Sequence, residues 1–348
     1  MNASLAPVRA RRLRWHAQLL GGSDLTPADV VRGAVALQGQ DLRAVLRAIA
    51  IRSRPGTTTA DVIAAFDAGK LVRSWPMRGT LFATTPDHLA TLLAATSQRI
   101  RRATTRRRGE LELDEATIGR AGELLVAALA GGPMRRNEVM ALWDADGLAP
   151  TGGRGYHLLM HLSVAGLAHW GPFDASGSEQ LLTLSTTPPP ADPEAALADV
   201  VHDVIAFRGP LTVDDLAWWT KLPKTTIRRA IAALDDLVEV SVDGMNMLIV
   251  GDPRDRGPSG ITLVPGFDEW ILGYADRSLQ AGPEVLDALV PGGNGIFRPA
   301  ILVDGRTVGM WRPARPASRG EPTIELIETV PAVTRRAITR AVHAWPHQ

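Results

Sequence analysis

The 348-residue chain has no cysteine, which excludes disulfides, thiolate zinc sites and a cysteine nucleophile together. Lysine is nearly absent as well: of the 38 basic residues only Lys70, Lys221 and Lys224 are lysine, the rest being arginine. No run of about 18 uncharged apolar residues occurs, so no transmembrane helix and no membrane partner are expected. The N-terminal MNASLAPVRARRLRW lacks the apolar stretch of a secretory signal, and the cytoplasm, with association to the nucleoid, is the expected compartment. Net charge is only +1, so an anion-binding surface has to come from clustering.

What is present describes an ordinary globular protein, 45% hydrophobic and 22% charged, and long enough for several cores. The arginines cluster twice, at Arg9, Arg11, Arg12 and Arg14 and again at Arg99, Arg101, Arg102, Arg106, Arg107 and Arg108. Such runs are either solvated faces or local anion-binding patches, since guanidinium forks match phosphate oxygens.

One pattern recurs along the chain: helices followed by two strands and a turn, the order of a winged helix. It is clearest in the third occurrence. Asp192 to Phe207 reads as an amphipathic helix, Thr212 caps a second, Pro223 opens a third, and VEVSV and MNMLIV flank an Asp243-Gly244 hairpin turn. The second occurrence starts at Asp114, has its third helix in TGGRGYHLLMHLSVAG and its strands in LAHWG and LLTLS. The first has a helix capped by Thr26 with Pro27 at its first position, and strands KLVRSW and GTLFATT; a helix from Asp87 to the Arg108 cluster bridges onward. Beyond Val250 the chain reads as a small α+β module, with strands in ITLVPGFDEWILGY, IFRPAILVDGRTVGMWRP and TIELIETV and a closing helix. The expected fold is therefore α+β: three tandem winged-helix modules in residues 1–110, 111–190 and 191–250, then the C-terminal module 251–348.

Several chemical motifs reduce to structure. His157 and His161 have the spacing of two metal ligands on a helix, but Leu158 stands where a zinc protease carries Glu, so core or groove-facing histidines are expected and no metal. The glycine stretches GGSD, TGGRG and PGGNG lack the lysine and spacing of a phosphate loop and read as turns. Asp268 and Glu269 are adjacent carboxylates, suited to capping or to pairing with arginine. Three tandem winged helices point to nucleic acid, or to a protein-interaction scaffold on the same fold.

The blocks LQGQDLRAVLRAIAIRS, LVRSWPMRGTLFATTP, LVPGFDEWILGYADRS and GIFRPAILVDGRTVGMWRP occur in this order and resemble the AlkZ/YcaQ type of winged-helix DNA glycosylase over nearly the whole chain. The resemblance implies a C-shaped arrangement around a basic, concave DNA surface and hydrolytic removal of alkylated bases from double-stranded DNA without a cofactor. It places the catalytic pair of the AlkZ branch at Gln38 and Gln40, with Asp41 as possible support. Gly39 departs from the larger apolar residue usual between the two glutamines. Arg78, Arg277 and Arg298 belong to the resembling blocks and, with Arg101 and Arg102 of the second cluster, are the candidate DNA contacts. A monomer is expected.

Glutamine does not titrate and makes a poor acid or base. An N7-alkylated guanine already carries a positive charge, and its departure as a neutral base requires no acid. An amide oxygen that orients water and faces the developing sugar cation can then suffice. Self-resistance to a DNA-alkylating natural product is the role the resemblance suggests, and bulky adducts or crosslinks are conceivable substrates. No lysine lies near the motif to form a Schiff base, so a monofunctional enzyme is expected. On an α-helix residues two apart are rotated by roughly 200°, so both amides reach one water only if the backbone breaks or extends at Gly39. The expectation is a helix ending near Gln38 and another beginning soon after Asp41. The competing readings are a solvated helix end at the pair, and a non-enzymatic DNA-binding protein acting as regulator or drug-sequestering factor.

Overall fold

The computed structural model describes residues 3–252, 257, 259–293, 295–312 and 321–345. Asn294 of the PGGNG stretch lies outside these. The chain opens with β1 (Ala3–Leu5) and α1 (Pro7–Ala17), then α2 (Pro27–Ala34), β2 (Ala36–Gln38), α3 (Leu42–Ala50), α4 (Thr59–Asp67), β3 (Val72–Met77) and β4 (Thr80–Thr84). Helices α5 (Pro86–Ala103) and α6 (Thr105–Glu110) form the bridge, broken at Thr104. Then follow α7 (Glu115–Leu129), α8 (Arg136–Ala145), α9 (Arg154–Val164), β5 (Ala168–Phe173) and β6 (Gln180–Leu184). The third stretch is α10 (Pro193–Arg208), α11 (Val213–Thr220), α12 (Lys224–Ile231), β7 (Leu237–Val242) and β8 (Met245–Val250). The C-terminal part comprises β9 (Ile261–Val264), α13 (Glu269–Leu272), α14 (Pro283–Leu289), β10 (Ala300–Val303), β11 (Arg306–Arg312), β12 (Thr323–Leu326) and α15 (Ala332–Ala344).

Local chemistry explains the boundaries. Thr26 accepts from the Asp29 backbone N–H with Pro27 at the first helical position, Thr212 and Asp215 cap α11 reciprocally, and Asp243 and Gly244 both have positive φ in the β7–β8 turn, as a tight hairpin requires. Two segments differ from expectation. Only Ile261–Val264 of ITLVPGFDEWILGY is strand; Asp268 accepts the Trp270 N–H and starts a short helix instead. Helix α14, opened by Pro283, had no expected counterpart.

Three sheets organise these elements. The largest runs β2-β4-β3-β5-β6 and joins strands from before and after the bridge, because Arg73 of β3 pairs with Trp170 of β5. The second runs β12-β11-β10-β9, and the third, β1-β7-β8, tethers the N-terminus parallel to β7. Helix α10 lies at the centre: Val201, Val204 and Ile205 pack with Phe82, Trp219 and Tyr274 in one core that joins residues from distant parts of the chain. Among the described residues no helix is long and apolar enough to cross a membrane.

The first arginine cluster is not an anion-binding patch. Arg14 is 1% exposed and donates to the Pro210 carbonyl and to Gln280. Arg12 forks onto Asp304, and Arg11 donates to backbone carbonyls of Asp304 and Leu279. Helix α1 spends these cations on fastening the N-terminus to the body.

Candidate active site

Helix α2 ends at Ala34, four residues earlier than expected, because Val35 turns to a left-handed φ of 65°. The chain then runs extended as β2 along β4, with Gln38 opposite Phe82. Strand β2 ends at Gln38, and Gly39 and Gln40 continue outside any helix, so both amides come to β4, which a helical rotation of roughly 200° between them would prevent. Gln38 Oε1 lies 3.5 Å from Thr80 Oγ1, and Gln40 Oε1 accepts the Leu81 N–H at 3.4 Å. Consecutive residues of β4 thus receive the two amides. Both contacts are long, and each carbonyl oxygen keeps a second lone pair. Gln38 is 6% exposed while Gln40 is exposed, so the pair spans the boundary between protein and solvent.

Gly39 does not act through a left-handed backbone; its φ is not positive. It is required by proximity. A Cβ there would stand 3.0 Å from the Ala83 nitrogen, 3.1 Å from the Phe82 carbonyl carbon and 3.2 Å from its Cα. Packing at the motif is therefore tight, and β2 approaches β4 as closely as it does because this side chain is missing. The Gly39 N–H donates to the Leu81 carbonyl at 2.7 Å, and its own carbonyl accepts from Arg73 Nε at 2.7 Å.

A buried ionic frame holds β2 from the other side. Glu269, 1% exposed, accepts the Gln38 backbone N–H at 3.0 Å, Trp219 Nε1 at 2.9 Å and Arg208 Nη2 at 3.1 Å. Arg208, also fully buried, donates to the Ala34 and Ala36 carbonyls at 2.9 Å each. Asp268, which precedes Glu269, caps α13 and takes a two-point contact from buried Arg52 at 2.8 and 2.9 Å. Asp268 and Glu269 therefore point apart, each to its own arginine. Asp41 is exposed and caps α3 by accepting the Ala44 N–H at 3.0 Å.

Beside the motif stands a concentration of positive charge. The β3–β4 turn is Arg78-Gly79, both at positive φ, a conformation that costs a non-glycine residue energy and often marks a functional position. Arg78 lies 3.9 Å over the Trp218 ring; Lys221, also at positive φ, and Arg277 approach the same ring at 4.9 and 5.3 Å. Burial pushes Arg78 down to about 10, with Glu269 pulling the other way and Arg277 and Arg208 repelling it. Burial lowers Lys221 too, with Arg78 adding repulsion. Among the described residues no carboxylate forms a salt bridge with any of the three cations. Arg298 has its Nη1 3.7 Å from Met310 sulfur, and the ring of the preceding Phe297 lies 5.5 Å from the Arg277 guanidinium. Arg101 and Arg102 are exposed at the end of α5 without an ion pair among the described residues, whereas Arg106 and Arg107 pair with Glu110, and Arg108 with Glu115.

A profile of the family described as DNA glycosylase AlkZ-like matches residues 31–346. The chain belongs to the AlkZ-like DNA glycosylase family. It is 27% identical over 268 residues to the interstrand DNA cross-link repair glycosylase of Streptomyces sahachiroi, a match covering 69% of this chain and 70% of that protein. The solved structure of the Streptomyces sahachiroi DNA glycosylase AlkZ is similar with a TM-score of 0.81 over 99% of this chain and 98% of that one, at 21% identity. The mixed α+β fold is thereby the AlkZ fold.

Within this AlkZ-like frame, sequence reasoning missed Thr80, Arg208, Trp218, Trp219 and Lys221. One signal was available: adjacent tryptophans on a helix point about 100° apart, so Trp218 and Trp219 cannot be equally enclosed. Trp219 is buried against Glu269, while Trp218, half-buried at the edge of the same core, keeps a face for the cations. His161 is buried and His157 half-buried on α9. Burial, with Arg108 and Arg101 adding repulsion, pushes His161 down to about 4. Among the described residues no group of three or more His, Asp or Glu is placed to hold a metal ion.

Proposed function

We propose that this AlkZ-like DNA glycosylase hydrolyses the N-glycosidic bond of guanine alkylated at N7, as a single adduct or as one end of an interstrand crosslink, with Gln38 and Gln40 orienting the attacking water. The observation that carries this reading is the convergence of two neutral amides on consecutive residues of β4. The C1′–N9 bond breaks with its electron pair moving to N9, which cancels the positive charge on the ring. Water adds its oxygen to C1′, and its spare proton goes to solvent. The products are a neutral alkylated base and a deoxyribose with a hydroxyl at C1′.

The amide oxygens need only hold water and present negative potential to the sugar as it acquires positive character. Neither can keep the proton, and a good leaving group removes the need. Arg78, Lys221 and Arg277 supply backbone phosphate contacts beside the motif, with Arg101, Arg102 and Arg298 as further candidates. The name of the Streptomyces relative supports a substrate as large as a crosslink, and self-resistance to an alkylating natural product fits the same chemistry.

The test is a substrate comparison. Duplexes containing one N7-methylguanine or one uracil are incubated with the protein and then treated with alkali to cut abasic sites. Cleavage of the first and none of the second is expected; equal cleavage of both, or of neither, overturns the reading.

A further inference from the structure

An open pocket of about 360 Å³ lies beside the motif, lined by Leu42, Trp75, Leu81, Tyr156, Leu159 and Trp170 among others. It shares its wall with the motif. Leu42 follows Gln40 by two residues, the Leu81 N–H is the one that meets Gln40 Oε1, and Arg73, also lining the pocket, holds the Gly39 carbonyl. Its volume falls in the range of small-molecule sites and far exceeds a methyl group.

The lining is aromatic and its side-chain amide is already engaged. Trp75 meets Trp170 and Tyr156 edge-on, with ring centroids 4.9 and 5.7 Å apart. Gln180 is buried, donating to the Gly171 carbonyl and accepting from Arg73, so burial limits what it offers a ligand. Arg73 and Arg136 line the pocket, and Glu179, the one carboxylate of its lining, is paired with Arg135, which disfavours a cationic ring there. The alkylated guanine, positively charged until its bond breaks, is thus a poor occupant. A neutral ring carried on its alkyl substituent is a good one.

We propose that this pocket receives a neutral, planar aromatic group borne by the alkyl substituent of the lesion, held against the aromatic lining that includes Tyr156 and Trp170. The proposal rests on the reading that the protein acts on N7-alkylguanine. It makes the pocket a specificity site that bulky aromatic adducts use and N7-methylguanine does not.

The probe is 7-(quinolin-3-ylmethyl)guanine, whose substituent is a neutral planar bicycle, compared with 7-methylguanine. Binding of each free base to the full chain is measured by calorimetry for wild type, Tyr156→Ala and Trp170→Leu, and single-turnover excision of the same bases from duplex DNA is measured in parallel. The expected result is preferential binding of the quinoline probe, weakened at least tenfold by either substitution, with excision of N7-methylguanine changed less than twofold. The same affinity for both bases, or binding of the quinoline probe unaffected by both substitutions, overturns the proposal. Tyr156-dependent binding of the quinoline probe without excision of either base leaves the pocket standing and removes the glycosylase reading.

Discussion

The Glu269 carboxylate accepts the backbone N–H of Gln38 at 3.0 Å across 231 residues of sequence. The C-terminal part thereby fixes the strand that carries the motif, and the same carboxylate neutralises Arg208. Removing one partner of a buried ion pair strands the other charge, at a cost of about 3–5 kcal/mol. Glu269→Gln, nearly isosteric, is expected to lower stability by that order in denaturant unfolding. A loss below about 1 kcal/mol, the scale of surface pairs, would show that Arg208 is satisfied by the Ala34 and Ala36 carbonyls alone.

Gly39→Ala tests the close approach of β2 to β4. The added methyl meets backbone rather than a flexible side-chain end, so overpacking of about 1–3 kcal/mol is expected, together with slower excision as Gln38 and Gln40 shift. Unchanged stability and rate would mean that the two strands separate freely.

The cations around Trp218 are expected to act on DNA affinity and its salt dependence. Arg78→Gln, Lys221→Gln and Arg277→Gln should each weaken binding without regard to sequence and reduce the slope of log affinity against log salt by about one. Arg12→Gln, whose side chain already pairs with Asp304, is the control and should leave the slope unchanged. Equal slopes in all four variants would remove the cluster from the DNA surface.

The pH dependence of excision follows from the residues at the motif. The amides do not titrate, and His161, held down to about 4 by burial and its arginine neighbours, stays neutral above pH 6. Single-turnover rates are therefore expected to be level from pH 6 to 9. A bell-shaped profile in that window would indicate a general acid or base.

Much of this was legible in the sequence because it rests on short-range chemistry. Thr26-Pro27, Thr212 and Asp243-Gly244 set their helix starts and turn through neighbours within a few residues, and the element order in 191–250 supports our proposal of a winged-helix module there. The site's surroundings were not legible, since Glu269, Arg208 and Trp219 reach β2 from distant parts of the chain. The N-terminal arginines misled for a related reason. A run of cations looks alike whether it faces solvent or, as with Arg12 and Arg14, carbonyls and carboxylates more than a hundred residues away. A break in the helix at Gly39 was foreseen but not the strand that carries Gln38, because pairing with β4 is a tertiary fact.

The central claim is that Gln38 and Gln40 act together on one water. Single-turnover excision of N7-methylguanine from duplex DNA by wild type, Gln38→Ala, Gln40→Ala and the double variant, with DNA affinity measured alongside, tests it most directly. Each single substitution is expected to slow excision at least tenfold with affinity nearly unchanged, and the double variant to be little slower than the worse single one, as for residues that act as a unit. A double variant that excises as fast as wild type would contradict the account.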